Sequence, residues 1–138
     1  MGDGGEMNTF NCRVYYEDTD AAGIVYYANY LKFTERARTE ALRDLGVSQS
    51  FVQKEYGLVF VVKKILAEYC MPAKLDDLLK IKTVTRKIGM VSFQVEQEIY
   101  IGEKKIFKAE VKLGAIDPQG KPKKIPVSIK DKIGLLGK

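Results

Sequence analysis

One stretch of this chain repeats apolar residues at helical spacing over a long run, and from residue 58 the period shortens toward two. Between residues 27 and 45 the apolar positions recur three and four apart, at Tyr30, Phe33, Ala37, Ala41 and Leu45, with Leu31 and Leu42 beside them. Lys32, Glu35, Arg36, Arg38, Glu40, Arg43 and Asp44 occupy the remaining surface, and Gly46 supplies a stop. From residue 58 the pattern turns strand-like. LVFVVKKILAEY (58–69) is apolar and β-branched, and residues 79–88 alternate. Val91, Phe93, Val95, Ile99 and Ile101 alternate with polar neighbours, leaving Gln97 as the exception, and Phe107, Ala109, Val111, Leu113 and Ala115 form one apolar row. Adding FNCRVYY (10–16) as a first strand, the order is strand, long helix, four strands. That order defines an α+β class in which one sheet face must cover one helix. A helix of about 19 residues is roughly 28 Å long, comparable with the width of five strands at about 4.8 Å spacing plus flanking side chains.

The 138 residues, 46% hydrophobic, suit one domain over residues 10–138. The glycine-rich start MGDGGE lacks the basic and apolar regions of a signal peptide, so residues 1–9 are expected to be a leader carrying no fold information. Gly89 and Gly102 fall between consecutive strands, where a tight turn can use positive φ. Short helices are expected at 48–56 and within 125–136, with a turn at DPQGKP (117–122) between the last strand and the end. Cys12 and Cys70 form no CxxC pair and are expected to be packing thiols in a reducing compartment, with the cytoplasm as location.

A chain without histidine has no Ser-His-Asp or Cys-His relay and no histidine-based metal site, and two distant cysteines do not make a thiolate cluster. No metal is expected. Acid–base or nucleophilic chemistry falls to Asp, Glu, Lys, Tyr or Cys. The densest candidate is EDTDAAGIVYYANYL (17–31), where Glu17, Asp18, Asp20 and Gly23 lead into the helix. On spacing alone, an acid in such a turn binds local backbone N–H groups or serves catalysis, and both readings stand. Asp18 reads as a loop brace, Glu17 as a strand-end charge, and Asn29 as a cap or loop-fixing residue. The net charge of +5 admits nucleic acid, anionic lipid or a phosphorylated small molecule. Acids interrupt the basic residues and no nucleic-acid motif appears, so a nucleic-acid or membrane-binding module is the weaker alternative.

The string YYEDTDAAGIVYYANYLKFTERARTEAL, followed by four strands, strongly resembles the hotdog-fold acyl-CoA thioesterases. It is most similar to the cytoplasmic enzymes associated with the Tol-Pal cluster and to their relatives, the 4-hydroxybenzoyl-CoA thioesterases. The resemblance spans about residues 10–126. It implies a five-stranded antiparallel sheet wrapped around one long helix, sheets joined edge to edge in a homodimer or homotetramer, and active sites at the dimer interface. It also implies acyl-CoA as substrate, so that coenzyme A enters as part of the substrate and no separate cofactor is needed. Association with envelope or phospholipid-synthesis proteins comes with the same likeness. A hotdog protein that binds acyl thioesters without cleaving them is the alternative inside this class.

Carried over residue by residue, Asp20 matches the family's catalytic carboxylate. Tyr27 matches the residue whose backbone N–H binds the thioester oxygen, where many Tol-Pal-type members have histidine. Free N–H groups at a helix start stabilise negative charge on a carbonyl oxygen, which fits that role independently. An unperturbed aspartate, with a pKa of about 3.9, is a weak base near pH 7, which favours direct attack over general-base action. Gly23, Val25 and Tyr26 of the same loop are substrate-binding candidates. Arg86 and Lys87, together with Lys63, Lys64 and the KPKK loop (121–124), are candidates for the phosphates of coenzyme A.

Overall fold

The computed structural model describes residues 9–138; the expected leader, apart from Thr9, lies outside the described residues. The elements are β1 (Thr9–Arg13), α1 (Asn29–Asp44), α2 (Gln49–Tyr56), β2 (Val59–Tyr69), β3 (Leu78–Ile88), β4 (Ser92–Ile101), β5 (Lys104–Ile116) and α3 (Val127–Ile133). The strands form a five-stranded sheet in the order β1-β3-β4-β5-β2. Every pairing is antiparallel.

Period-two patterning sets the register. Phe93, Val95, Gln97 and Ile99 of β4 and Phe107, Ala109, Val111 and Leu113 of β5 are buried on one face. Tyr30, Phe33, Thr34, Ala37, Arg38, Ala41 and Leu42 are the buried residues of α1. At β4–β5, Gly102 takes φ 61, a conformation that costs glycine no Cβ clash, as the tight turn requires. Gly89, between β3 and β4, is not among the positive-φ residues; its N–H donates to the Ser92 carbonyl at 2.7 Å.

Four local expectations are corrected. The first strand ends at Arg13 because Asp18 competes for the next backbone groups: its carboxylate accepts from the Tyr15 N–H at 2.9 Å, and a single 3-10 turn forms at Tyr16–Asp18. The long helix begins at Asn29 rather than residue 27, because the preceding turn closes with i+3 bonds, beginning with Asn29 N–H to the Tyr26 carbonyl at 2.8 Å. Gln97 is no exception in direction, since it points inward in step with Val95 and Ile99. Arg38, expected on the charged face, is only 6% exposed.

The last two corrections explain one another. The Arg38 guanidinium donates through Nη1 to Gln97 Oε1 at 3.2 Å, and Gln97 Nε2 donates to the Thr34 carbonyl and to Thr83 Oγ1, each at 2.9 Å. A buried amide is tolerable because its donors and acceptor are engaged. The resulting polar post joins α1 to β3 and β4.

Candidate active site at the start of the long helix

Residues 18–27 fold back as a small hairpin. Thr19 and Val25 form an antiparallel bridge, Asp20 N–H donates to the Ile24 carbonyl at 2.9 Å, and Tyr26 N–H donates to the Asp18 carbonyl at 3.1 Å. The turn needs Gly23, whose φ is 81. The hairpin is tied to the rest of the fold by Val25 N–H on the Ala73 carbonyl at 2.8 Å and a bridge from Ile24 to Lys74. Asn29 completes the frame, its side-chain N–H donating to the same Asp18 carbonyl at 2.9 Å.

Asp20 is exposed at the tip of this hairpin. Its Oδ1 accepts from the Ala22 N–H at 2.8 Å and, more weakly, from the Ile24 N–H at 3.4 Å. These bonds fix the carboxyl's orientation, as the turn reading expects. Oδ2 has no partner among the described residues, so one oxygen aims the group and the other is available.

The amide at Tyr27 is set by its neighbours. The Tyr26 carbonyl accepts from Asn29 N–H and therefore faces the helix; in a planar trans peptide the N–H of that unit, which belongs to Tyr27, points the opposite way. Among the described residues the Tyr27 N–H has no acceptor. Nor does α1 carry a side-chain cap or a first-turn acid, so the positive end of its dipole is not neutralised locally.

An apolar depression of about 270 Å³ adjoins this helix start, lined by Ile24, Val25, Tyr27, Tyr30, Tyr69, Cys70, Met71 and Pro72. Of the loop residues expected to bind substrate, Val25 lines it; Tyr26 packs its ring on Tyr27 at 4.9 Å but does not, and Gly23 serves the turn. The basic candidates lie elsewhere. Arg86 sits at a register shift of β3 and pairs through Nε with Glu96 at 2.6 Å, while Lys87 lines a separate depression with Gln94 and Lys112. Five residues at the depression escaped sequence reasoning as site residues: Ile24, Tyr69, Cys70, Met71 and Pro72. The available signal was an aromatic residue ending a strand beside the short apolar run Cys70–Ala73.

A long helix packed against the buried face of a five-stranded antiparallel sheet of order β1-β3-β4-β5-β2 is the hotdog fold, the fold of a class of acyl-CoA thioester hydrolases. Residues 22–108 match the family described as the thioesterase superfamily. The chain is 44% identical over 123 residues to the acyl-CoA thioesterase YbgC of Haemophilus influenzae, covering 88% of this chain and 90% of that protein. It is 40% identical over 115 residues to the acyl-CoA thioesterase YbgC of Helicobacter pylori, covering 77% and 84%. A crystal structure of a probable thioesterase from Bartonella henselae superposes with a TM-score of 0.82 at 39% identity, covering 86% of this chain and 98% of that one. This chain belongs to the thioesterase superfamily. Among the described residues no cluster of His, Cys, Asp or Glu could hold a metal, and no helix is long and apolar enough to cross a membrane.

Proposed function

We propose that the chain hydrolyses acyl-CoA thioesters to a free acid and coenzyme A. The observation that carries this reading is the unpaired Tyr27 amide, held outward beside an apolar depression on the loop that also bears Asp20. The acyl group lies in the depression with its carbonyl oxygen on the Tyr27 N–H. Val25 contacts the acyl group and Tyr26 and Gly23 shape the entrance; Arg86 and Lys87, which lie away from this depression, are proposed for the phosphates at the far end of coenzyme A. Asp20 Oδ2 attacks the carbonyl carbon; the oxyanion collapses, the C–S bond breaks, and coenzyme A leaves as thiolate. Water then adds at Cγ of Asp20 and the Cγ–O bond to the acyl group breaks, so the acid is released and the Asp20 carboxylate is regenerated carrying one oxygen from water. In the competing version Asp20 takes a proton from water, which attacks directly.

A second copy pairs along β2, whose outer edge has no partner strand among the described residues and whose Leu66 is 62% exposed. Dimers or tetramers in the cytoplasm are the expected form. Contact with envelope or phospholipid-synthesis proteins, and a taste for 4-hydroxybenzoyl-type acyl groups, rest on the resemblance alone.

The test is thiol release from a panel of short, long and aromatic acyl-CoA esters, followed by turnover in ¹⁸O-water and mass analysis of the Asp20 peptide. Thiol release with label entering Asp20 is the expected result. Label that never enters Asp20 over repeated turnovers withdraws the anhydride, and binding without thiol release makes the chain a carrier of acyl thioesters.

A further inference from the structure

We propose that Tyr69 is a positioning residue that aims the Tyr27 amide, an inference that rests on the reading of that amide as the thioester's hydrogen-bond donor. Tyr69 is the last residue of β2, paired with Phe107 of β5, so its ring is rooted in the sheet rather than in the loop. Its hydroxyl donates to the Tyr27 carbonyl at 3.1 Å across 42 residues of chain. Its ring meets Tyr27, Tyr30 and Phe107 edge-on, with centroids 6.3, 5.3 and 5.0 Å away.

The geometry gives this bond a specific consequence. The Tyr27 N–H lies in the peptide plane it shares with the Tyr26 carbonyl, and that plane is steadied further when the next plane, joined to it through φ and ψ of the Tyr27 Cα, is held as well. The plane before the Tyr27 Cα is held by Asn29 N–H on the Tyr26 carbonyl at 2.8 Å. The plane after it carries the Tyr27 carbonyl, whose helical partner, Tyr30 N–H, is at a long 3.3 Å. Ala28 stands at the cap position and has no side-chain acceptor with which to brace the turn. The Tyr69 hydroxyl is the firmer anchor of that second plane, and it ties the helix start to the strand that lines the acyl depression. With both planes anchored, the Tyr27 N–H keeps one direction before substrate arrives. Such preorganisation is where an oxyanion donor gains its effect, and misplacement by about 1 Å can cost on the order of a hundredfold in rate.

Tyr69→Phe separates aiming from packing, because it keeps the ring and removes only the donor. On the best ester of the panel, kcat is expected to fall about tenfold with KM within about twofold, as for an interaction felt in the transition state. In ¹⁵N–¹H spectra the Tyr27 and Ala28 amide resonances should move, and their exchange with solvent should quicken. Tyr56→Phe, which removes a hydroxyl that meets Ser128 instead, is the control and should leave both unmoved. Unchanged kcat in Tyr69→Phe overturns the proposal, as do Tyr27 and Ala28 resonances that stay in place. Wild-type protein that cleaves no ester of the panel sinks the hydrolase reading instead, and the spectra still decide whether Tyr69 aims the amide.

Discussion

Replacing Gln97 by leucine tests the polar post between helix and sheet. Gln97 has no exposed surface, and the substitution deletes three hydrogen bonds: the one it accepts from Arg38 and the two it donates to Thr34 and Thr83. The bond to the guanidinium matters most. Burial already lowers the Arg38 pKa, opposed by Glu35, and Gln97 Oε1 is its hydrogen-bond acceptor among the described residues. A charge-assisted bond is worth about 1.5–3 kcal/mol and each neutral bond about 1 kcal/mol, while the leucine returns about 1 kcal/mol of apolar burial. The net loss should be about 3 kcal/mol, seen as a lower urea midpoint at unchanged m and a Tm drop on the order of 10 °C at fixed protein concentration. The decisive measurement is the cycle with Arg38→Met. Removing charge and acceptor together should recover at least about 2 kcal/mol of the summed single losses, because no cation is then left buried without an acceptor. A Gln97→Leu loss below about 1 kcal/mol, or strict additivity in the cycle, would refute the reasoning.

Asp20→Asn keeps an Oδ1 for the Ala22 and Ile24 amides, so the hairpin should persist and Tm should change by no more than about 2 °C. Steady-state thiol release should fall at least about a thousandfold in kcat, roughly 4 kcal/mol of barrier, with the Kd for a substrate analogue within a few-fold; a variant retaining a tenth of wild-type turnover dismisses Asp20. Burial raises the Cys12 thiol from 9.0 to about 11, with Asp18 adding to the effect and Arg36 opposing it. Its folded pKa therefore exceeds its unfolded value, so its contribution to stability is complete below about pH 9 and is lost as pH rises toward 11. At pH 8, iodoacetamide should label exposed Cys70 at least about tenfold faster than Cys12, and equal rates would contradict the burial of Cys12.

What the sequence makes legible here is whatever repeats locally. The stripe from Tyr30 to Leu45 announces α1, and alternation announces β3, β4 and β5, because these patterns record which face of an element is dry. What stays hidden depends on partners far along the chain. Arg38 reads as surface because charged residues usually are, and its burial becomes intelligible only with Gln97, 59 residues away. Gln97 breaks the apolar row for the same reason: an inward amide on a strand asks for a polar group on the helix above it.

The site divides along the same line. Asp20 and Gly23 are visible as residue types, one an acid and the other a turn former with φ 81. The group that would take the developing charge is a main-chain N–H, which every residue except proline carries and no letter distinguishes. Its value comes from being left unpaired and aimed, and both properties are conferred by other residues: the Tyr26 carbonyl turned to Asn29, the Ala28 cap that offers no acceptor, and the Tyr69 hydroxyl arriving from the sheet. Tyrosine at position 27 is therefore compatible with this chemistry, because the role belongs to its main chain and not to its side chain. A substitution that preserves the backbone trace should matter less to the carbonyl than one that releases either neighbouring peptide plane.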